Sequence, residues 1–303
     1  MVSGTKPAVA RVTRVAAACA ALLAVLIGSV SAQQASVPAR LVSTSPSITE
    51  TLFALGLGDR VVGVSNFCRF PPEAARLPKV GAFLTPEVEL IARLTPDLVF
   101  LHTGLNSAAR QLAALRIPTA IIDRGSFEAV PSTIRQIGRA AGAAEAAERV
   151  IATITGRLDR VRSAVAGRPP RTVLIIVGRQ TGTLSDIVAV GHTSYLNDIA
   201  TLAGGRNALP STVKPEYPRI SMETVISLSP DVIIDIGEMG EAPADSDRRR
   251  QVTAELWKRQ TLVQAARESR VFVTTDDAFT VPGPRIVDVA ETMAAWFHGV
   301  RVP

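Results

Sequence analysis

Aromatic residues are scarce in this chain, 4% of 303 positions, with only two tryptophans and two tyrosines. Each aromatic outside a core pattern is therefore informative. Cysteine is as rare, Cys19 and Cys68 being the only two. Cys19 lies in an N-terminal apolar run, so a chain that loses that run keeps one thiol and forms no internal disulfide. The three histidines, His102, His192 and His298, are scattered and do not make the His/Asp/Glu cluster that a bare zinc or manganese ion needs. There is no Lys/Arg stripe with interleaved aromatics, which argues against a nucleic-acid partner. There is no Gly-x-Ser-x-Gly elbow, no phosphate-cradling Gly-Lys-Ser/Thr run and no Gly-x-Gly-x-x-Gly after the first expected strand. His192, Asp198 and a serine can be assembled into a hydrolytic set only on paper. The chain is read as a binding protein and not an enzyme, with a secreted hydrolase as the remote alternative.

Beyond residue 32 no apolar run is long enough to span a bilayer. Before it, Lys6, Arg11 and Arg14 precede the apolar run Val15 to Val30, and Val30-Ser31-Ala32 offers the small residues of a cleavage site. Residues 1–32 read as a secretory leader, cut before Gln33. A lipoprotein cysteine should follow such a run, whereas Cys19 sits inside it, so no lipid anchor is expected. The formal charge of +6 falls to +3 once the three basic leader residues are gone, since the leader carries no acid. The densest basic run, Arg248-Arg249-Arg250, is flanked by Asp245 and Asp247 and reads as a solvated turn. Hydrophobic residues are 47% of the chain, and its length allows two domains with a sizeable core.

What is present organises around a repeat. Glu89-Leu-Ile-Ala-Arg-Leu-Thr-Pro-Asp-Leu-Val-Phe100 and Glu223-Thr-Val-Ile-Ser-Leu-Ser-Pro-Asp-Val-Ile-Ile234 align without a gap. Each reads as a short amphipathic helix, a Ser/Thr-Pro-Asp break and a strand buried on both faces. Two similar α/β lobes with a cleft between them follow. The first is placed at 40–125. Its first helix starts at Ser45-Pro46-Ser47, with Ser47 and Glu50 spaced as a capping box. Residues 126–168 read as helical throughout, with one long rod over 143–166 bridging the lobes. The second lobe is placed at 169–303, with a helix over 253–267.

The stretch from Leu41 to Phe100 resembles the N-lobe of periplasmic substrate-binding proteins of ABC importers, in the group that takes cobalamin, ferric siderophores and haem. The likeness rests on Ser45-Pro46-Ser47-Ile48-Thr49-Glu50, Phe70-Pro71-Pro72-Glu73-Ala74, Leu77-Pro78-Lys79-Val80-Gly81 and Leu94-Thr95-Pro96-Asp97-Leu98-Val99. In the second half it rests on Leu202-Ala203-Gly204-Gly205-Arg206-Asn207 and Leu228-Ser229-Pro230-Asp231. The resemblance implies two Rossmann-like lobes with parallel sheets joined by one long helix, the class III periplasmic binding protein fold. It implies a periplasmic monomer that hands a small molecule to a permease dimer in the membrane. It also implies that Glu89 and Glu223, one on each lobe, dock onto permease arginines, a pairing that suits bidentate geometry.

Ligands in open parallel sheets sit beyond the C-terminal ends of the strands. By position the ligand-binding candidates are Phe67, Cys68, Phe83, Tyr217, Asp276 and Phe279. Phe67, Phe83 and Tyr217 match aromatic positions of cobalamin-binding members. Cys68 is open to two readings, a soft donor to a metal centre in the guest or a small buried residue. Phe70 reads as a core plug. Arg69, Arg179 and Lys214 are candidates for ligand phosphates or carboxylates, though each alone is more ordinary as a solvated charge. Tyr195, Tyr217 and His192 are the candidate axial ligands if the guest is haem. No resident cofactor is expected. The ligand is taken to be cobalamin first, a ferric chelate or haem second.

Overall fold

The computed structural model describes residue 1 and residues 37–123, 126–237 and 246–302. Residues 2–36, and with them the body of the expected leader, lie outside these. Among the described residues no helix is long and apolar enough to cross a membrane.

The N-lobe is built on β1 (Leu41–Ser43), α1 (Pro46–Ala54), β2 (Val61–Val64), α2 (Pro72–Ala75), α3 (Val88–Arg93), β3 (Leu98–His102), α4 (Asn106–Ala114) and β4 (Thr119–Ile122). Its four strands are all parallel, in the order β2-β1-β3-β4. Two helices follow, α5 (Val130–Ala140) and α6 (Ala144–Val165). The expected continuous helical stretch is therefore broken. Gly142 takes a left-handed φ of 72° and turns the chain back, so that α5 packs on α6.

The C-lobe holds β5 (Arg171–Gly178), β6 (Ile187–Ala189), α7 (Tyr195–Leu202), β7 (Gly205–Asn207), β8 (Arg219–Ile220), α8 (Met222–Leu228) and β9 (Val232–Asp235). It continues with α9 (Ser246–Lys258), α10 (Gln264–Arg267), β10 (Val271–Val273) and α11 (Ile286–His298). Strands β10, β9, β5 and β7 run parallel. β6 alone is reversed, antiparallel to both of its neighbours β5 and β8, so this sheet is mixed where a parallel one was expected. The long strand β5 has room on one edge for both β7 at its start and β6 near its end.

Two further expectations are corrected. The helix placed at 253–267 is two helices, and the first begins at Ser246, so Arg248 to Arg250 lie on a helix and not in a turn. Asp247 pairs with Arg250 at 3.1 Å, one turn along it. The Ser47–Glu50 capping box does not form either. Ser45 is the cap, its Oγ accepting from the Ile48 amide, and the Glu50 carboxylate goes to Arg285 instead.

The repeat holds down to backbone detail. Thr95 and Ser229 both adopt left-handed φ, 44° and 42°, and end α3 and α8. Asp97 Oδ2 then accepts from the amides of Ala39 and Arg40 at the start of β1, each at 2.8 Å. Asp231 Oδ2 does the same for β5, accepting from the amide and hydroxyl of Thr172 at 2.8 Å. Burial works against the Asp231 charge, but the Thr172 bonds, with Arg171 and Arg270 nearby, outweigh it and hold the carboxyl below its ordinary value. A depressed carboxyl contributes stability above its unfolded pKa, about 3.9, and loses it as the pH falls through the lower folded value. Asp231→Ala is expected to lower the unfolding free energy by about 1–2 kcal/mol at neutral pH. Urea titrations at successively lower pH should show that deficit shrinking below about pH 4.

One apolar core runs through both lobes. Leu41, Leu98 and Phe100 face it from the first sheet, and Val173, Ile175, Val232 and Ile234 from the second. Ala147, Ile154, Leu158, Val161 and Val165 form the stripe of α6 that lies in it. The alternate residues of the same strands enter separate, smaller clusters on the outer faces: Val42, Val99 and Leu101 in one, Leu174, Ile176 and Ile233 in the other. This period of two explains why these strands read as continuous apolar runs.

Candidate functional site

The cleft lies between the lobes and encloses about 870 Å³. Its N-lobe wall comes from chain segments that leave the C-terminal ends of β1, β2 and β3. Capping of α1 puts Ser45, Pro46 and Ser47 at the floor, and β3 ends there on His102. Phe67, Arg69 and Phe83 stand beside them. The C-lobe wall is made by Thr193 and Tyr195 after β6, by Glu216 and Tyr217 before β8, and by Asp277 and Thr280 after β10.

The floor is a short polar relay. His102 is 5% exposed. Its Nδ1 lies 3.2 Å from the Ile122 carbonyl oxygen and its Nε2 lies 2.8 Å from Ser45 Oγ. A carbonyl only accepts, so in the neutral imidazole Nδ1 carries the hydrogen and Nε2 accepts from the serine. Ser47 Oγ is 3.2 Å from Ser45 Oγ. The Phe83 ring meets the imidazole edge-on, centroids 5.3 Å apart at 73°.

On the opposite wall Tyr195 donates to the Phe279 carbonyl at 2.7 Å, and Tyr217 accepts from Ser194 at 3.3 Å. Burial pushes both phenols above their ordinary pKa, Tyr195 much the more, with Tyr217 and Glu216 close enough to add to it. Both stay neutral near pH 7. The Glu216–Tyr217 segment reaches the cleft because Gly191 has no side chain. The Gly191 amide donates to the Glu216 carbonyl at 2.7 Å, and a Cβ there would collide with the Pro215 carbonyl. Gly191→Ala is expected to cost about 1–3 kcal/mol as the loop is forced outward, read as a lowered midpoint in urea.

One arginine ties the walls together behind the cleft. Arg285, from the C-lobe, donates to both oxygens of Glu50 on α1, at 2.9 and 2.5 Å. It also bonds Asp277 at 2.8 Å, reaches Asp276 at 3.4 Å and stacks over the Phe70 ring at 4.1 Å. Burial opposes its charge, but the bonds to Glu50 and Asp277 more than offset this and raise its pKa further. Burial raises the Glu50 carboxyl above its usual range, against the pull of Arg285.

Of the residues expected to bind ligand, the structure brings Phe67, Phe83 and Tyr217 to the cleft. Cys68 is buried in the N-lobe core and does not line it, its Sγ 3.1 Å from Thr49 Oγ1 and 3.3 Å from Ser65 Oγ. Burial raises its thiol pKa, so it is a poor thiolate donor. Asp276 instead caps the turn whose next residue, Asp277, lines the wall. Phe279 is buried and stacks on Trp296 at 5.5 Å, supporting Tyr195 from behind. Phe70 is 42% exposed under Arg285, not a core plug. Of the basic candidates, Arg69 lines the cleft, Lys214 is exposed outside it, and Arg179 is buried beside Asp235 at 3.1 Å. His192 spends Nε2 on the Leu209 carbonyl at 2.9 Å, away from the cleft wall. Glu89 and Glu223 are both exposed in the first turns of α3 and α8. Among the described residues no group of three His, Cys, Asp or Glu is placed to hold a metal ion.

The sequence reading missed Ser45, Ser47 and His102 as cleft residues. His102 left one usable signal, as the last residue of an apolar strand run at the C-terminal edge of the sheet. The serines read only as helix caps, which Ser45 also is.

A family model described as periplasmic binding protein matches residues 41–278. A vitamin B12-binding protein of Yersinia pestis (strain Pestoides F) is 29% identical over 92% of this chain and 94% of its own. An ABC transporter substrate-binding lipoprotein of Bacillus subtilis (strain 168) is 28% identical over 85% of this chain and 79% of its own. The crystal structure of a periplasmic heme-binding protein from Roseiflexus sp. RS-1 superposes with a TM-score of 0.69 at 26% identity, covering 85% of this chain and 98% of that one.

Proposed function

The chain belongs to the periplasmic binding protein family, and on that premise we propose that it is the extracytoplasmic substrate-binding component of an ABC importer. It captures a metal-centred macrocycle or chelate in the inter-lobe cleft, cobalamin before a ferric siderophore or haem. The observation that carries this reading is the cleft itself. About 870 Å³ is near the upper end of small-molecule sites, large enough for most of a corrin or porphyrin ring. Its aromatic walls, Phe67, Phe83 and Tyr217, offer flat apolar area, worth about 25 cal/mol per Å² covered. The name of the Yersinia relative supports the choice of cobalamin.

The exported chain docks on its permease through Glu89 and Glu223. Their matched places in the repeat support this, because a pseudo-symmetric pair of carboxylates suits a symmetric dimer of arginine-bearing subunits. An ordinary helix-dipole role accounts for an acid in either first turn, but not for the shared position.

The test is direct. Protein purified from the periplasm is examined by native mass spectrometry for a bound compound, then titrated with cyanocobalamin, haemin and ferric siderophores. Binding of one of them at micromolar or tighter concentration is expected (about −8 kcal/mol or better). No binding by any of them removes the proposed cargo.

A further inference from the structure

Resting on that reading, we propose that His102 is the axial donor to the metal of the bound macrocycle, and that the cargo is therefore a planar metal macrocycle with an exchangeable axial position. Three observations converge on it. His102 lies on the cleft wall and not in a separate pocket. Its Nδ1 is oriented by the Ile122 carbonyl at 3.2 Å, the kind of outer bond that fixes a ligating imidazole and leaves Nε2 as the donor atom. Nε2 lies 2.8 Å from Ser45 Oγ and 3.4 Å from Ser47 Oγ, and the two hydroxyls, 3.2 Å apart, can pair with each other instead. On coordination the Ser45 hydroxyl turns to Ser47, the Nε2 lone pair forms the bond to the metal, and the water or hydroxide in the axial position leaves. No oxidation state changes and no other reactant is needed.

The neighbouring groups match a flat guest. Phe83 packs edge-on against the imidazole and limits its rotation. Tyr195 and Tyr217 also face the cleft, and both are held neutral by burial; Tyr195 keeps its hydrogen on the Phe279 carbonyl, and the Tyr217 oxygen accepts from Ser194, so neither offers the metal a phenolate. A hexadentate siderophore fills every position on its iron and leaves nothing for an imidazole to take. An iron porphyrin, or a cobalt corrin carrying water on its exposed face, leaves a position that imidazole suits.

The experiment uses the whole exported chain and two matched pairs of probes, haemin with iron-free protoporphyrin, and aquacobalamin with cyanocobalamin. The first member of each pair has an exchangeable axial position and the second does not. Binding is read by co-elution and tryptophan quenching, coordination by the visible spectrum and, for iron, by electron paramagnetic resonance. The expected result is that at least one exchangeable probe acquires an imidazole-bound spectrum. In His102→Ala that spectrum should be lost and affinity for that probe should fall by more than about tenfold. Affinity for its inert counterpart should fall far less, since that probe loses only packing against the imidazole, and a wild-type far-UV circular dichroism spectrum shows that the variant is folded. Free imidazole added to His102→Ala should restore the spectrum. Identical spectra in wild type and variant, or equal affinity for both members of each pair, overturn the proposal while leaving the cleft reading in place. Binding of siderophores alone overturns it too. If no probe binds at all, the proposed cargo falls with it.

Discussion

Arg285→Ala is expected to lower the unfolding free energy by about 3–5 kcal/mol, because it leaves a buried carboxylate without its partner. The Glu50 side chain is 3% exposed, and Arg285 supplies both of its hydrogen bonds to a cation. For a domain of this size the midpoint should drop by roughly 6–15 °C. The pH dependence has a definite sign. With Arg285 gone, burial first and the Asp277 and Asp276 charges after it keep the Glu50 pKa above the unfolded value of about 4.3. A carboxyl whose folded pKa is raised contributes stability below the unfolded value and loses it as the pH rises through the folded one. The deficit of the variant should therefore be smallest near pH 4 and grow toward neutrality. Denaturant titrations followed by tryptophan emission at pH 4, 5.5 and 7 measure it. The double variant with Glu50→Ala should be less damaged than the sum of the singles by at least about 1 kcal/mol, since nothing charged is left stranded. A loss under about 1 kcal/mol in Arg285→Ala would mean that water reaches Glu50 and that the clasp does not hold the lobes.

The paired replacement of Glu89 and Glu223 by alanine should bring uptake of the ligand close to background while affinity and thermal midpoint stay at wild-type values. Both carboxylates are solvent-exposed and neither lines the cleft, so their removal leaves the guest site intact. Each single variant should retain part of the transport, because under the proposed docking the other lobe would still engage its half of the permease. Whole-cell uptake of labelled ligand, set beside a titration of each purified variant, separates the two effects. Full uptake by the double variant, or a parallel loss of affinity, rules out docking through these two acids.

Much of this architecture was readable from local chemistry. The Ser/Thr-Pro-Asp break marked the two helix ends at Thr95 and Ser229, while their left-handed φ and the fastening of the neighbouring strands by Asp97 and Asp231 were not legible in it. The long bridging helix was legible from a proline-free, alanine-rich stretch, and it runs one residue short of expectation at each end. What escaped depends on partners far along the chain. Arg179 looked like a surface charge because Asp235 and Thr253 are 56 and 74 residues away. Glu50 looked like half of a capping box because Arg285 is 235 residues away. β7 and β8 carry Gly, Arg and Asn or only two residues, so no strand propensity marks them. At the cleft, aromatic positions could be placed by their loops. The register that puts Asp277 on the wall and Phe279 behind it is set by a single short turn.

The apolar interior shared by both sheets and α6 has a thermodynamic corollary. Neither half can melt while the other persists, since each would bare the side of α6 that the other covers. Calorimetry on the chain from residue 37 onward should therefore give one cooperative endotherm with equal van't Hoff and calorimetric enthalpies. A fragment ending before α6 should fail to fold by itself.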